Sequence, residues 1–214
     1  MKATQEEILT QALALFNEKG VGEVSIREIA RAAGISHGNL RYHFPEKGEL
    51  VRALFRRCER AVDQDMAGLL ASPDDLPALL RMIWAQAQHF QEFRFLMDHM
   101  VEVCAQFPAV AEGLRAMYRR REGELLALLA GWRARGWVRA AASESDLKEA
   151  IRLLQLAVDF GLPFVKVEAP ELAPEAMLQA YVRLWLAPLL GWLTAEGRDE
   201  RDRALADLPG LGPA

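Results

Sequence analysis

The chain has 214 residues, 51% apolar and 26% charged, the composition of an ordinary globular protein rather than a low-complexity or collagen-like one. A chain this long buries roughly 70% of the surface its unfolded form exposes, so it needs no disulfide staples. Its net charge of −4 excludes a uniformly basic nucleic-acid binder. The charge is nevertheless uneven: residues 24–60 hold eight basic side chains and four acids, +4 in a chain whose remainder is −8. Such a segment is either a polyanion site, with DNA phosphate the commonest partner, or a solvated helix face whose arginines pair with glutamates. Cys58 and Cys104 form neither a disulfide framework nor a metal motif. The start of the chain has no apolar signal core, and the charge-free run 184–195 is only twelve residues, against the ~20 that span a bilayer. The expectation is a cytoplasmic protein with no membrane partner.

Apolar residues recur at helical spacing almost throughout and no sustained period-two alternation occurs, so the expected fold class is all-α. Thr4 and Glu7 have capping-box spacing, Ile8, Leu9, Ala12, Leu13 and Phe16 line one face, and Gly20 ends the first helix. Ser25 with Glu28 repeats the box for a short helix burying Ile26, Ile29, Ala30 and Ala33 and stopping at Gly34. Ser36 caps a third helix, which Pro45 ends. A long helix is expected over 46–70. Ser72, Pro73, Asp74 and Asp75 restart the pattern, which runs over 76–107 with a break near 91–94. Pro108 opens a helix reaching about 135, with Gly136 at its end. Ser143 and Ser145 offer caps for a helix to about 162, where Gly161 and Pro163 intervene. Pro170 and Pro174 precede a last long helix ending near Gly197, and the tail 198–214, rich in charge and then in Pro209, Gly210, Gly212 and Pro213, is expected to fray. The organisation expected is a three-helix helix-turn-helix domain over 1–62, then a larger helical domain over 63–214.

Residues 25–44, SIREIARAAGISHGNLRYHF, meet the physical requirements of a helix-turn-helix. Gly34 supplies the positive φ of the tight turn, and Ile35 plugs the space between the helices. The second helix buries chiefly Leu40, which leaves His37, Asn39, Arg41, Tyr42 and His43 on an exposed arc suited to a major groove. A plain helical hairpin has no need of five such residues in seven positions.

On these residues the chain resembles the N-terminal domain of the TetR family of bacterial transcriptional regulators. The match covers positions 4–55, from ILTQALALFNEKG through VSIREIARAAGIS to GNLRYHFPEKGELVRALF. The resemblance implies a homodimer that binds a pseudo-palindromic double-stranded DNA operator, usually as a repressor, and a C-terminal domain that binds a small-molecule inducer. It also implies that Ser25 and Arg27 touch the phosphate backbone and that Ser36, His37, Gly38 and Asn39 open the recognition helix within reach of base edges and phosphates, Gly38 by permitting close approach. Tyr42 and His43 are then expected at sugar-phosphate and Lys47 at a phosphate. Two positions depart from the common pattern: His37 stands where Lys is frequent, giving a weaker, pH-dependent cation, and Arg41 where Tyr is frequent. Arg41 is either a bidentate guanine reader or a plain phosphate contact, and His43 either meets DNA or is a satisfied core histidine.

In the larger domain, the last helix is apolar on nearly every side and must be covered on two. A second subunit is therefore expected over it, with Leu153, Leu156, Phe160, Tyr181, Trp185, Leu189 and Trp192 at the homodimer interface. The aromatic and Met-rich stretch 84–117 is either core or the lining of an apolar cavity; Trp84, His89, Phe93, Met97, His99, Met100 and Met117 are the candidates for a small apolar or aromatic effector, with Gln86 and Asp98 as further orienting groups. His99 and Glu102 near Cys104 are an isolated pair, so no metal and no cofactor are expected. None of GxSxG, GxxxxGK, GxGxxG or HExxH occurs, and no histidine follows a glutamate by three residues, which disfavours an enzyme. The expected function is a ligand-responsive, DNA-binding transcriptional regulator; the alternative is a helical protein-interaction module without sequence-specific DNA binding.

Overall fold

The computed structural model describes residues 4–72 and 76–206, and its regular elements are helices, in keeping with the all-α expectation. The helix α1 (Gln5–Lys19) starts at a complete capping box. The Thr4 hydroxyl accepts from the Glu7 N–H at 3.2 Å and the Glu7 carboxylate accepts the Thr4 N–H at 2.6 Å. Gly20, at φ 82°, stops it. At α2 (Ile26–Ala32) Ser25 caps the Glu28 N–H, but the Glu28 carboxylate turns to Lys19 Nζ at 2.6 Å, so this second box is only half made. Gly34 takes φ 65° and the Ile35 N–H reaches the Ala30 carbonyl, which closes the turn into α3 (His37–His43) under its Ser36 cap.

The remaining helices are α4 (Lys47–Ala71), α5 (Leu76–Glu92), α6 (Arg94–Asp98), α7 (Met100–Gln106), α8 (Pro108–Ala134), α9 (Glu144–Glu168), α10 (Pro174–Leu190) and α11 (Ala195–Ala206). They form two compact units, one of Met1–Arg60 with Phe90–Arg115, the other of Ala61–His89 with Ala116–Ala214. The expected larger domain over 63–214 includes 90–115, whereas here that segment packs with the N-terminal helices. Asn17 explains much of this. Its Nδ2 donates to the Glu92 carbonyl at 2.7 Å and its Oδ1 accepts from the Phe95 N–H at 3.0 Å, satisfying backbone groups left open where α5 ends and α6 begins. Beside it the Phe16 and Phe95 rings lie 5.5 Å apart.

The second unit departs from expectation in three places. First, α9 does not stop at Gly161 and Pro163 but runs on to Glu168. Gly161 serves helix packing instead: a Cβ there would meet the Tyr181 ring of α10 at 3.0 Å. Second, the last long helix ends at Leu190, because Arg139 N–H donates to Trp192 O and Thr194 N–H to Trp137 O, both at 2.9 Å, pulling 192–194 into an isolated antiparallel bridge between Val138 and Leu193. Third, residues 198–206, expected to fray, belong to α11, whose start Thr194 caps by accepting the Gly197 N–H at 3.0 Å. The predicted restart at Pro73, Asp74 and Asp75 and the tail residues Pro209, Gly210, Gly212 and Pro213 lie outside the described residues.

Candidate nucleic-acid interface

Local chemistry builds the helix-turn-helix. Ile8, Ala12 and Phe16 of α1, Ile29 and Ala30 of α2, Leu40 of α3 and Leu50, Val51 and Leu54 of α4 are buried in the first unit, and Leu40 is the one fully buried residue of α3. Ser36 Oγ accepts the Asn39 N–H at 3.1 Å, which fixes the first turn of α3. Ser25, Arg27, Ser36, Gly38, Arg41 and Tyr42 are exposed, and His37, Asn39, His43 and Lys47 are half-buried. Tyr42, at 83% exposure, is an aromatic with no core role, and its ring meets the His43 ring edge-on at 5.3 Å. Arg41 Nε donates to the Pro45 carbonyl at 3.3 Å. The Glu28 carboxylate of α2 is bound by Lys19 of α1, whose hydrogen bond holds it below the usual carboxylate range.

Lys47 is placed differently from the phosphate role carried by the resemblance. Its Nζ donates to the Val21 carbonyl at 2.7 Å, to Val24 O at 3.1 Å and to Gly22 O at 3.4 Å. It ties the start of α4 to the α1–α2 loop, and its donors are already occupied. Lys47→Ala is expected to destabilise the protein by about 1.5–3 kcal/mol, the worth of a charged hydrogen-bonding group. Denaturant melts would show this, and the salt slope of DNA binding by the folded protein should not change. A slope lowered by about one at unchanged stability would restore the phosphate contact.

The seven candidate effector residues divide between the two units. Trp84, His89 and Met117 belong to the second unit and are half-buried. Phe93, Met97 and Met100 are core of the first unit, where His99 is exposed with its ring over Gly20. The second unit does hold a cavity of about 20 Å³ lined by Leu79, Leu80, Trp132, Leu186, Leu189, Leu193 and Arg201, none of them among the seven.

The interface candidates also divide. Leu153, Leu156 and Phe160 are exposed on α9, and with Phe164 and Val167 they make a stripe whose members are 44–84% exposed. Tyr181 and Trp185 must be withdrawn: at 0% and 2% exposure they are covered by their own chain, and Tyr181 donates to the Val158 carbonyl of α9. An apolar helix is covered on two sides, but here the same chain supplies much of the cover. Leu189 and Trp192 are half-buried.

Two polar features escape a sequence reading. Asp159 of α9, buried, accepts a hydrogen bond from the Tyr118 hydroxyl of α8; the available signal is that it is the sole acid between Glu149 and Glu168. Arg121, also buried, bridges Asp63 of α4 and Glu124. Among the described residues, no helix is long and apolar enough to cross a membrane.

Comparison with known proteins matches this architecture. The model for bacterial regulatory proteins of the tetR family matches residues 8–54, and that for the TetR bacterial transcriptional repressor matches residues 59–200. The chain is 33% identical to the HTH-type transcriptional regulator AcrR of Shigella flexneri over 81 residues, which is 37% of this chain and spans 38% of the length of AcrR. A crystal structure of a TetR-family regulator from Marinobacter aquaeolei VT8 superposes with a TM-score of 0.81 at 23% identity, covering 98% of this chain and 99% of that one. SmeT, the repressor of the Stenotrophomonas maltophilia multidrug efflux pump SmeDEF, superposes with a TM-score of 0.67 at 21% identity, covering 100% and 97%, and its complex with triclosan has also been solved. At such identities the structures speak to fold, while the two family models together take in the reading head and most of the rest. The chain belongs to the TetR family of bacterial transcriptional regulators.

Proposed function

We propose that the protein is a homodimeric repressor that binds a pseudo-palindromic operator through two copies of α3 and is released by a small apolar effector. The head over 1–62 reads DNA, and the body over 63–214 senses and dimerises. The observation that carries the reading is α3 itself, a capped helix that buries only Leu40 and leaves a polar, aromatic arc exposed. In a dimer the two copies of α3 must enter successive major grooves, about 34 Å apart. The exposed stripe Leu153, Leu156, Phe160, Phe164 and Val167 supports a dimer, since its 3-4-4-3 spacing is that of a helix seam awaiting a partner helix. The SmeT–triclosan complex supports a small aromatic effector. Such a ligand acts only by favouring one conformation, with couplings of about 1–3 kcal/mol.

The test is a mobility-shift assay on DNA flanking the protein's own gene, followed by a randomised operator library. Recognition helices touch base edges with their N-terminal residues, so Asn39 in the first turn is assigned to base reading. Arg41, in the last turn and partly held by Pro45, is assigned to phosphate. Asn39→Ala should relax specificity at one operator position by about 1–3 kcal/mol, whereas Arg41→Ala should weaken all sequences alike. The reverse pattern would exchange their roles, and failure to select any sequence at low salt would overturn the operator reading.

A further inference from the structure

Two glycines of the first unit each receive an aromatic ring. Gly113 lies within α8, where glycine weakens a helix unless something needs the room. A Cβ at 113 would stand 2.6 Å from Cε1 of the Phe55 ring of α4, against the roughly 3.5–4.0 Å at which two carbon atoms rest. Phe55 is 7% exposed and follows Leu54, which is core, so its ring has little space to retreat into in a close-packed interior. Gly48, in the first turn of α4, is the counterpart: a Cβ there would stand 3.3 Å from the ring of Phe107, just ahead of α8. Gly123 and Gly131 of the same α8 have no such neighbour within 4 Å, so the fit belongs to particular positions.

Each helix thus offers a notch to a ring beside the other. The pairs 48/107 and 55/113 advance together, so the start of α4 and the start of α8 run side by side in the same direction. That stretch of α4 is built into the helix-turn-helix, through Lys47 on the α1–α2 loop and through the buried Leu50, Val51 and Leu54. Both helices continue past Arg60 and Arg115 into the second unit, where Arg120 and Arg121 of α8 hold Asp63 of α4.

We propose that Phe55 and Gly113, with Phe107 and Gly48 beside them, are positioning residues for operator binding: the seating of ring in notch sets the place of α4, and so of the α3 it carries, relative to the second copy in the dimer. This rests on the dimeric operator reading above. One dimer gains from two half-sites only where geometry lets both copies of α3 engage at once, so a shift of α4 forfeits that gain without removing a single DNA contact.

The experiment measures the affinity of the full chain for the operator recovered from the randomised library and for a duplex carrying one half of it. Gly113→Ala should weaken binding to the full operator by at least about tenfold. The single half-site should change by no more than about twofold, and the mass of the dimer should be unaltered. Adding Phe55→Leu, which takes away the Cε1 and Cζ that the new methyl meets, should return the full operator to within about threefold of the wild type. Gly123→Ala, in open space on the same helix, should change neither affinity. If Gly113→Ala does not fold, Gly48→Ala decides, with an expected loss of about threefold on the full operator alone. Unchanged affinity for the full operator overturns the proposal, as does a loss shared equally by the half-site or one that Phe55→Leu fails to reverse. A wild type that gains nothing from a second half-site overturns the operator reading and this proposal with it, whereas a gain that survives Gly113→Ala overturns this proposal alone.

Discussion

In the proposed homodimer, Leu156→Glu combined with Phe160→Glu is expected to leave a well-folded monomer without the tight operator binding proposed for the dimer. Both side chains are exposed on α9 in the isolated chain, at 55% and 44%, so the substitutions leave its core untouched and the helical circular-dichroism signal should persist. In a dimer each variant chain would bring two carboxylates into an apolar seam facing the partner's two. Burying unpaired charge costs several kcal/mol per ion, so the dimer dissociation constant should rise by at least about a thousandfold. Light scattering at micromolar concentration reads the mass, and a mobility shift reads the operator, where a monomer holds one half-site only. A variant that remains dimeric would move the interface off α9. Glutamate at Val101, an exposed apolar residue of α7, is the control expected to leave the mass unchanged.

Asp159→Asn should make the protein more stable at neutral pH, an unusual result for a buried, hydrogen-bonded residue. Burial pushes the Asp159 carboxyl up to about 6, against a smaller opposing pull from the Tyr118 hydroxyl that donates to it. The unfolded chain releases this proton near its ordinary value of about 4. Between these values the folded protein holds a proton that the unfolded chain has lost, so stability is highest below about pH 4 and declines as pH rises through 6. Above that the native state carries a buried carboxylate, at a cost of about 3 kcal/mol. Asparagine still accepts from Tyr118 and has no charge to bury. The variant should gain up to about 3 kcal/mol at pH 7.5 in denaturant melts, with the gain vanishing near pH 4. A destabilisation equal at every pH would show that Asp159 acts through shape alone.

What was legible beforehand follows the range of the forces involved. The Thr4, Ser25, Ser36 and Ser143 caps, the positive φ of Gly34 and the break near 91–94 are settled within a few residues, and the structure has them all. Gly161 and Pro163 misled because a helix stop is only one use of those residues. Gly161 is small so that Tyr181 can approach, and Pro163 is tolerated in a helix that continues past it. Lys47 is ambiguous for a similar reason: its ammonium suits a phosphate as well as it suits the carbonyls of Val21 and Val24, which it meets here because of the path of the α1–α2 loop.

The sequence by itself determined that the chain is helical, that residues 25–44 make a helix-turn-helix, and that the last two long helices are rich in apolar side chains. These rest on periodicity, capping and turn chemistry, which act between near neighbours. Only the tertiary structure decided that Tyr181 and Trp185 face inward while Leu156 and Phe160 face out, that Asn17 binds the α5–α6 break to α1, and that Gln86, Arg121 and Asp159 are buried. Burial and partner choice are sums over residues far apart in the chain, and a net charge of −4 or a helical period carries no trace of them.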